Sequence, residues 1–318
     1  MTFLETQQSL EQIKQDWLNQ WYQRSKSHNS RNGAKTSLHW FETFLHTVYN
    51  SKSEREIIEE LKVLSYDHTR STQLYLFVNA FVQYLNTKGL SPRAIRIYTM
   101  FVKSYLRYHG IKIYTDDIKE FVNFPKIIKE RRQPLTIESI RKLLEATHEK
   151  RLKGIMLTAA SSGARIGEIL QSTVRDFDFK HTPVRFRIRA ETTKTREEHE
   201  TFISQEATNV VKLLIKDKKE DDLIFCRKWN TTTLPSVETY FANIRKQAGL
   251  TDKYANGMYK VNIHAFRAFF FTKATKRHDD NYAHALTGHH KYLDQYFRET
   301  PEEQAKKYLE LEPDLRIN

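Results

Sequence analysis

The sequence predicts a mainly α-helical chain with one small antiparallel β-sheet, divided into two domains. Three observations carry that prediction. Apolar residues recur at helical spacing through most of the 318 residues. The stretch Val184-Arg-Phe-Arg-Ile-Arg189 instead alternates with period two, and Glu200-Thr-Phe-Ile203 follows a polar turn to pair back with it. Pro125 and Pro134 bracket a strongly basic segment, residues 123–134, which has the composition of a linker.

The elements follow in order. Residues 3–25 read as an amphipathic helix carrying Leu4, Leu10, Ile13, Trp17 and Trp21. Residues 25–33 are polar and end in glycine, so a loop is expected there. A second helix follows Thr36-Ser37 with Leu38, Phe41, Phe44, Leu45 and Val48 on its apolar side. Ser53 and Glu56 have capping-box spacing and open a third helix. Residues 69–88 form a longer helix closed by Gly89. Ser91-Pro92 places a cap and a first-turn proline at the head of a helix over 92–109. Arg93, Arg96, Lys103 and Arg107 recur on that helix opposite its apolar stripe, a face suited to a DNA backbone. Arg131 and Arg132 in the linker are suited in the same way.

Thr136 opens the second half with a helix to about residue 150, followed by one over 151–162 that stops at Ser162-Gly163. Another starts near Arg165, and the strand pair comes next, its first strand carrying one basic face. Helices resume at 206–217, 235–248 and 264–277, and a last one is expected over 302–311. The division expected is residues 1–34 as N-terminal helix and loop, 35–122 as a helical domain, 123–134 as linker and 135–318 as the second domain.

Composition narrows the function. A hydrophobic fraction of 39% with 29% charged residues suits a folded globular chain. Lys and Arg number 52 against 39 acidic residues, a net charge of +13, which favours a polyanionic partner and nucleic acid first of all. The single cysteine, Cys226, excludes an internal disulfide and a cysteine-built metal site. The sequence holds no apolar run of membrane-spanning length, and its first twenty residues lack the layout of a signal peptide, so the cytoplasm is the expected location.

Four stretches carry chemistry. In Gly163-Ala-Arg165-Ile-Gly-Glu168 an arginine follows a glycine turn at a helix start, and a carboxylate one turn on can hold it. Lys194 stands at the tip of the predicted hairpin, placed to contact a phosphate or to act as a general acid. His264-Ala-Phe-Arg267 puts histidine and arginine on one helical face. The stretch 287–298 gathers His289, His290, Lys291, Tyr292, Tyr296 and Arg298, and cations beside a phenol lower the cost of forming phenolate.

Taken together and in this order, Gly-x-Arg-x-x-Glu, the hairpin lysine, His-x-x-Arg, Gly288-His289 and a following tyrosine resemble the tyrosine recombinases of the phage integrase family. The likeness covers roughly residues 35–300, and the Tyr-Phe-Arg and Pro-Glu-Glu stretches are similar to integrases of archaea and their mobile elements. It implies a helical core-binding domain and a catalytic domain clamped around double-stranded DNA, four protomers on two DNA sites, and no metal or cofactor.

It also implies residue roles. Arg165 and Arg267 would clamp the scissile phosphate, His264 would hold it or take the nucleophile's proton, and Lys194 would protonate the leaving 5′-oxygen. His289 would bond a non-bridging oxygen and Glu168 would support the site. The nucleophile falls to Tyr296, seven residues after His289, where the family's usual spacing of about nine meets Arg298. Tyr308 and Tyr292 are the alternatives, and a one-residue shift would exchange His290 for His289. A C-terminal helix docking on a neighbouring protomer is the further expectation. Integration or excision of a mobile element, resolution of chromosome or plasmid dimers, and DNA binding by a decayed enzyme are the functions left open.

Overall fold

The computed structural model describes residues 9–25, 28–67, 69, 71–128, 130–288 and 299–317. The chain divides into two compact units, Met1–Lys129 and Glu130–Asn318. That division falls inside the predicted linker.

The regular elements among the described residues of the first unit are all helices: α1 (Leu10–Ser25), α2 (His28–Val48), α3 (Glu54–Tyr66), α4 (Ser71–Thr87), α5 (Pro92–Tyr108) and α6 (Thr115–Phe121). Ser53 and Glu56 form the capping box at the start of α3, and Ser91 caps α5 ahead of its first-turn proline. The core is aromatic, with Trp17, Phe41, Phe44, Tyr75, Phe81 and Tyr105 all buried. Ring pairs such as Phe41–Phe81 at 5.7 Å and Trp17–Tyr105 at 5.4 Å meet edge to face, the arrangement that ring quadrupoles favour. Lys14 of α1 is buried among them and bonds Glu42 at 2.6 Å and Glu54 at 2.8 Å, and Tyr105 donates to Glu54 at 3.0 Å. That charged knot joins α1, α2, α3 and α5.

Two expectations change here. The loop predicted over 25–33 is largely helix, because α2 begins at His28. Gly33 is a point of close approach rather than a turn, since a Cβ there would meet the Phe101 ring of α5 at 3.1 Å. The division at residue 34 likewise has no counterpart, because Trp17 and Leu18 of α1 lie in the same core as Ala34, Leu38 and Phe41 of α2.

The second unit surrounds one central helix. It comprises α7 (Ile137–Glu145), α8 (Lys150–Ser162), α9 (Ile166–Leu170), β1 (Phe177–Asp178), β2 (Val184–Ile188), β3 (His199–Ile203), α10 (Gln205–Ile215), α11 (Thr233–Gln247), α12 (Ala265–Arg277), α13 (Asp280–Thr287) and α14 (Pro301–Leu315). From Gly154 to Ser162 every residue of α8 is buried. The sheet is antiparallel in the order β1-β2-β3, with Phe186 opposite Phe177 on one side and Thr201 on the other. Val184, Phe186 and Ile188 point into the core. The basic face predicted for β2 is largely neutralised, as Arg185 pairs with Glu302 at 2.9 Å and Arg187 with Glu198 at 2.7 Å.

The end of the predicted linker belongs to this unit. The Gln133 backbone N–H donates to the Tyr254 hydroxyl at 2.8 Å, and Glu130 accepts from the Ala255 N–H at 2.7 Å. Arg245 and Lys253 both lie over the Tyr259 ring, at 3.5 and 4.6 Å from its centroid, and steady that loop.

The C-terminal helix corrects another expectation. Tyr308, Leu311 and Leu315 of α14 lie in this unit's own core. Arg277 bonds Asp314, His278 bonds the Lys307 carbonyl, and Arg141 holds the Ile317 carbonyl. The apolar face that would have docked on a neighbouring protomer is therefore occupied in cis. No helix among the described residues is long and apolar enough to cross a membrane.

His109, at the end of α5, offers a test of the first unit. Its ring packs edge-on against Tyr105 at 4.7 Å, and its Nε2 is buried without a hydrogen-bond partner among the described residues. Burial, with Lys62 and Lys14 adding and Glu59 opposing, pushes its pKa from 6.5 down to about 4. A depressed histidine is neutral when folded and protonates more readily when unfolded. Its contribution is full above pH 6.5 and is lost as pH falls toward 4, by at most about 3 kcal/mol. Three of the four tryptophans lie in this unit, so fluorescence-monitored urea unfolding at pH 7.5 and pH 4.5 measures the loss. A His109→Phe protein is expected to lose markedly less stability over that interval than the wild type.

Candidate active site

The site is built on the last turn of α8. Backbone carbonyls at a helix C-terminus have no partner within the helix, and when buried they must find donors elsewhere. Three successive carbonyls here each receive one from a different element. Tyr308 of α14 donates to the Ser161 carbonyl at 2.7 Å, Thr201 of β3 to that of Ser162 at 2.9 Å, and Arg267 of α12 to that of Gly163 at 2.7 Å.

Gly163 then turns the chain. It takes the left-handed conformation at φ 65°, and a Cβ would stand 2.3 Å from the Phe270 ring and 2.9 Å from Thr287. Both conformation and space require glycine. Two residues on, Arg165 stands at the N-terminus of α9 in extended conformation. Glu168, 3% exposed, accepts from the Arg165 backbone N–H at 2.7 Å and from its guanidinium at 2.8 Å. The carboxylate thus fixes both the main chain and the side chain of the arginine, whose side chain keeps 29% of its surface exposed.

Arg267 joins this turn to the end of α13. Its second Nη donates to the Thr287 carbonyl at 2.5 Å, so one planar fork spans the α8 turn and the residue before Gly288. Burial, then the neighbouring Arg165 charge, push its pKa down to about 10, with Glu168 opposing. Arg267 therefore stays charged at neutral pH, and Arg165 and Arg267 raise the local potential where an anion would sit.

His264 lies one turn before Arg267, exposed at the head of α12. Lys194 is exposed in the loop joining β2 to β3. That loop is anchored rather than loose. Thr193 is buried and donates to the Ala190 and Glu197 carbonyls, and Arg189 bonds Asp176 at 3.1 Å and the Gln171 carbonyl at 2.8 Å. The strand that leaves the loop starts at His199, whose ring lies against Gly288: a Cβ on that glycine would come within 2.5 Å of it. Gly288 is also left-handed, at φ 61°.

The structure therefore brings together Arg165, Glu168 and Arg267, carries His264 on the Arg267 helix, and roots the Lys194 loop beside Gly288. His289, His290, Tyr292 and Tyr296 lie outside the described residues. Tyr308 does not fit as nucleophile. It is fully buried, its hydroxyl is engaged by Ser161, and burial raises its pKa well above the ordinary phenol value, the reverse of what a phenolate requires.

The bracing roles of Thr201, Tyr308, Thr193 and Arg189 went unread in the sequence, where Tyr308 stood instead as an alternative nucleophile. Thr201 had a visible signal, since it is a polar residue on the apolar face of its strand, opposite Phe186.

Of the basic residues expected to face DNA, Arg93 and Arg96 are exposed on α5 and Arg131 and Arg132 on the connecting segment. Arg96 also stacks on Phe124 at 4.7 Å. Lys103 is half-buried and reaches Thr115 at 3.3 Å, and burial together with Arg107 lowers its pKa.

Comparison with known proteins bears on the same residues. The tyrosine recombinase XerA of Saccharolobus solfataricus is 27% identical over 137 residues, 43% of this chain and 43% of that protein. The chain thus spans less than half the length of the curated relative it matches. Among solved structures, a lambda integrase (75–356) dimer bound to a COC′ core site has a TM-score of 0.63 at 15% identity, covering 92% of this chain and 99% of that one. A lambda integrase tetramer bound to a Holliday junction also has a TM-score of 0.63 at 15% identity, covering 94% and 82%. At these identities the structures show a shared fold. The model of the phage integrase family matches residues 133–296, more than half of the chain, and the chain belongs to that family.

Proposed function

We propose that this chain is a site-specific DNA recombinase, a tyrosine-type strand transferase acting on double-stranded DNA in the cytoplasm. The observation that carries the reading is the Arg267 fork. It ties the Arg165 turn to the Gly288 end of α13, and so aims two cations from separate elements at one anion.

In this reading the Tyr296 hydroxyl attacks the scissile phosphorus and the bond to the 5′-oxygen breaks. The phenol proton passes to His264, and the departing oxygen takes a proton from Lys194. Arg165, Arg267 and His289 hold the non-bridging oxygens as negative charge builds on them, while Glu168 keeps Arg165 aimed. The product is a 3′-phosphotyrosyl link and a free 5′-hydroxyl. A 5′-hydroxyl from a partner duplex reverses the step, and the phosphodiester bond energy is kept throughout. Two duplexes held by four protomers supply that partner, with Arg93, Arg96, Lys103, Arg131 and Arg132 along the backbones.

Integration and excision of a mobile element is the setting proposed. The likeness to XerA favours a second one, resolution of chromosome or plasmid dimers. Recombination between two directly repeated copies of one site on a plasmid, in preference to two dissimilar sites, would select the second.

Incubation with a library of nicked duplexes, followed by capture and sequencing of covalent adducts, identifies the site and tests the chemistry. Wild type is expected to trap DNA through its 3′-phosphate, and Tyr296→Phe to trap none. DNA binding without any adduct would replace this reading with that of a decayed DNA-binding protein. Arg165→Ala is expected to slow adduct formation roughly 10²–10³-fold, as for loss of one charge-stabilising donor.

Lys194 has its own test. Lys194→Ala should be slow on ordinary DNA and nearly normal on a 5′-bridging phosphorothiolate, whose sulfur departs without a proton. Equal impairment on both substrates would remove Lys194 from the general-acid role.

A further inference from the structure

We propose that Tyr308 and Thr201 are positioning residues for the arginine pair, so that two hydroxyls, one carried by α14 and one by β3, govern the catalytic power of the α8 turn. The inference rests on the recombinase reading for its activity arm.

Tyr308 is fully buried and packs on Phe202 at 5.2 Å. A phenylalanine would fill that space as well. A hydroxyl buried there is costly unless bonded, and its partner is the Ser161 carbonyl, 147 residues away in sequence. Thr201 is also fully buried and bonds the next carbonyl, that of Ser162. The third carbonyl, that of Gly163, is the one held by Arg267. The two hydroxyls thus fix the main chain immediately before the residue on which the arginine fork closes. Gly163 has no side chain of its own to lock the turn, and Arg165 follows two residues later. Without a donor, a buried carbonyl pulls the helix end toward a new partner, and the turn moves with it.

The test separates positioning from mere packing by including Leu315→Ala, which removes apolar contact from the same helix without touching the three carbonyls. Tyr308→Phe and Thr201→Val are expected to lower the single-turnover rate of adduct formation roughly tenfold at saturating DNA, the scale of a sub-ångström misplacement. DNA affinity should stay within about twofold. The double variant should be less than additive, because both changes act on one turn. Leu315→Ala should lower the melting temperature yet keep the wild-type rate well below it. Rates that track melting temperature across all the variants would overturn the proposal.

Amide hydrogen exchange across residues 163–170 gives a readout that needs no turnover. It should speed up in Tyr308→Phe and Thr201→Val but stay at the wild-type level in Leu315→Ala. Unchanged exchange in the two hydroxyl variants would also overturn the proposal. A wild-type protein silent on DNA would sink the recombinase reading, and exchange would still decide the mechanical claim.

Discussion

Everything that the second unit places near Arg165 depends on how one helix ends. The last three carbonyls of α8 and its turn sit in a buried environment where water cannot serve them, and each is assigned a donor from a different element. A tyrosine, a threonine and an arginine thereby bring α14, β3 and α12 to one point. Two of the donors are neutral, and the third is a cation, which the negative end of a helix favours. The fork of that cation reaches on to Thr287, so the same contact that ends α8 also fixes the end of α13.

The electrostatics of the site follow from that geometry. Arg165 and Arg267 are near enough for the first to depress the pKa of the second, and Glu168 offsets only part of the charge. Two fixed cations and one buried carboxylate leave a net positive site before any ligand arrives. Its donors are held by carbonyls and a carboxylate rather than by a ligand, so little reorganisation would accompany the binding of an anion. Elsewhere the surplus charge of the chain is unevenly used. Arg185 and Arg187 of β2 and Arg189 just beyond it are matched by Glu302, Glu198 and Asp176, while Arg93, Arg131 and Arg132 stand exposed.

Much of this was legible in the sequence wherever the cause was local. Ser53, Ser91 and Thr136 announce helix starts because a cap and its target lie within one turn. Gly-x-Arg-x-x-Glu and His-x-x-Arg were readable for the same reason, since each is complete within a few residues. The misreadings had distant causes. Gly33 looked like a turn residue because its partner, Phe101, lies on another helix. The apolar face of α14 looked available because the core that receives it is built from α8, α12 and Phe202 of β3. Strand β1 is two residues long and exists only through its pairing with β2. The roles of Thr201 and Tyr308 were hidden because the carbonyls they serve leave no mark on the sequence.

The hydrogen bonds from the connecting segment to the loop at 254–255 bear on how these two units can be recombined. A boundary drawn by composition would fall at Pro134, the second bracketing proline. Glu130 and Gln133 lie before it, yet both bond within the second unit. A chimera joined at Pro134 would give the second unit a foreign strap in place of its own. One joined at residue 129 would carry the strap along, and the exchangeable module is thus a few residues longer than its proline-marked edge.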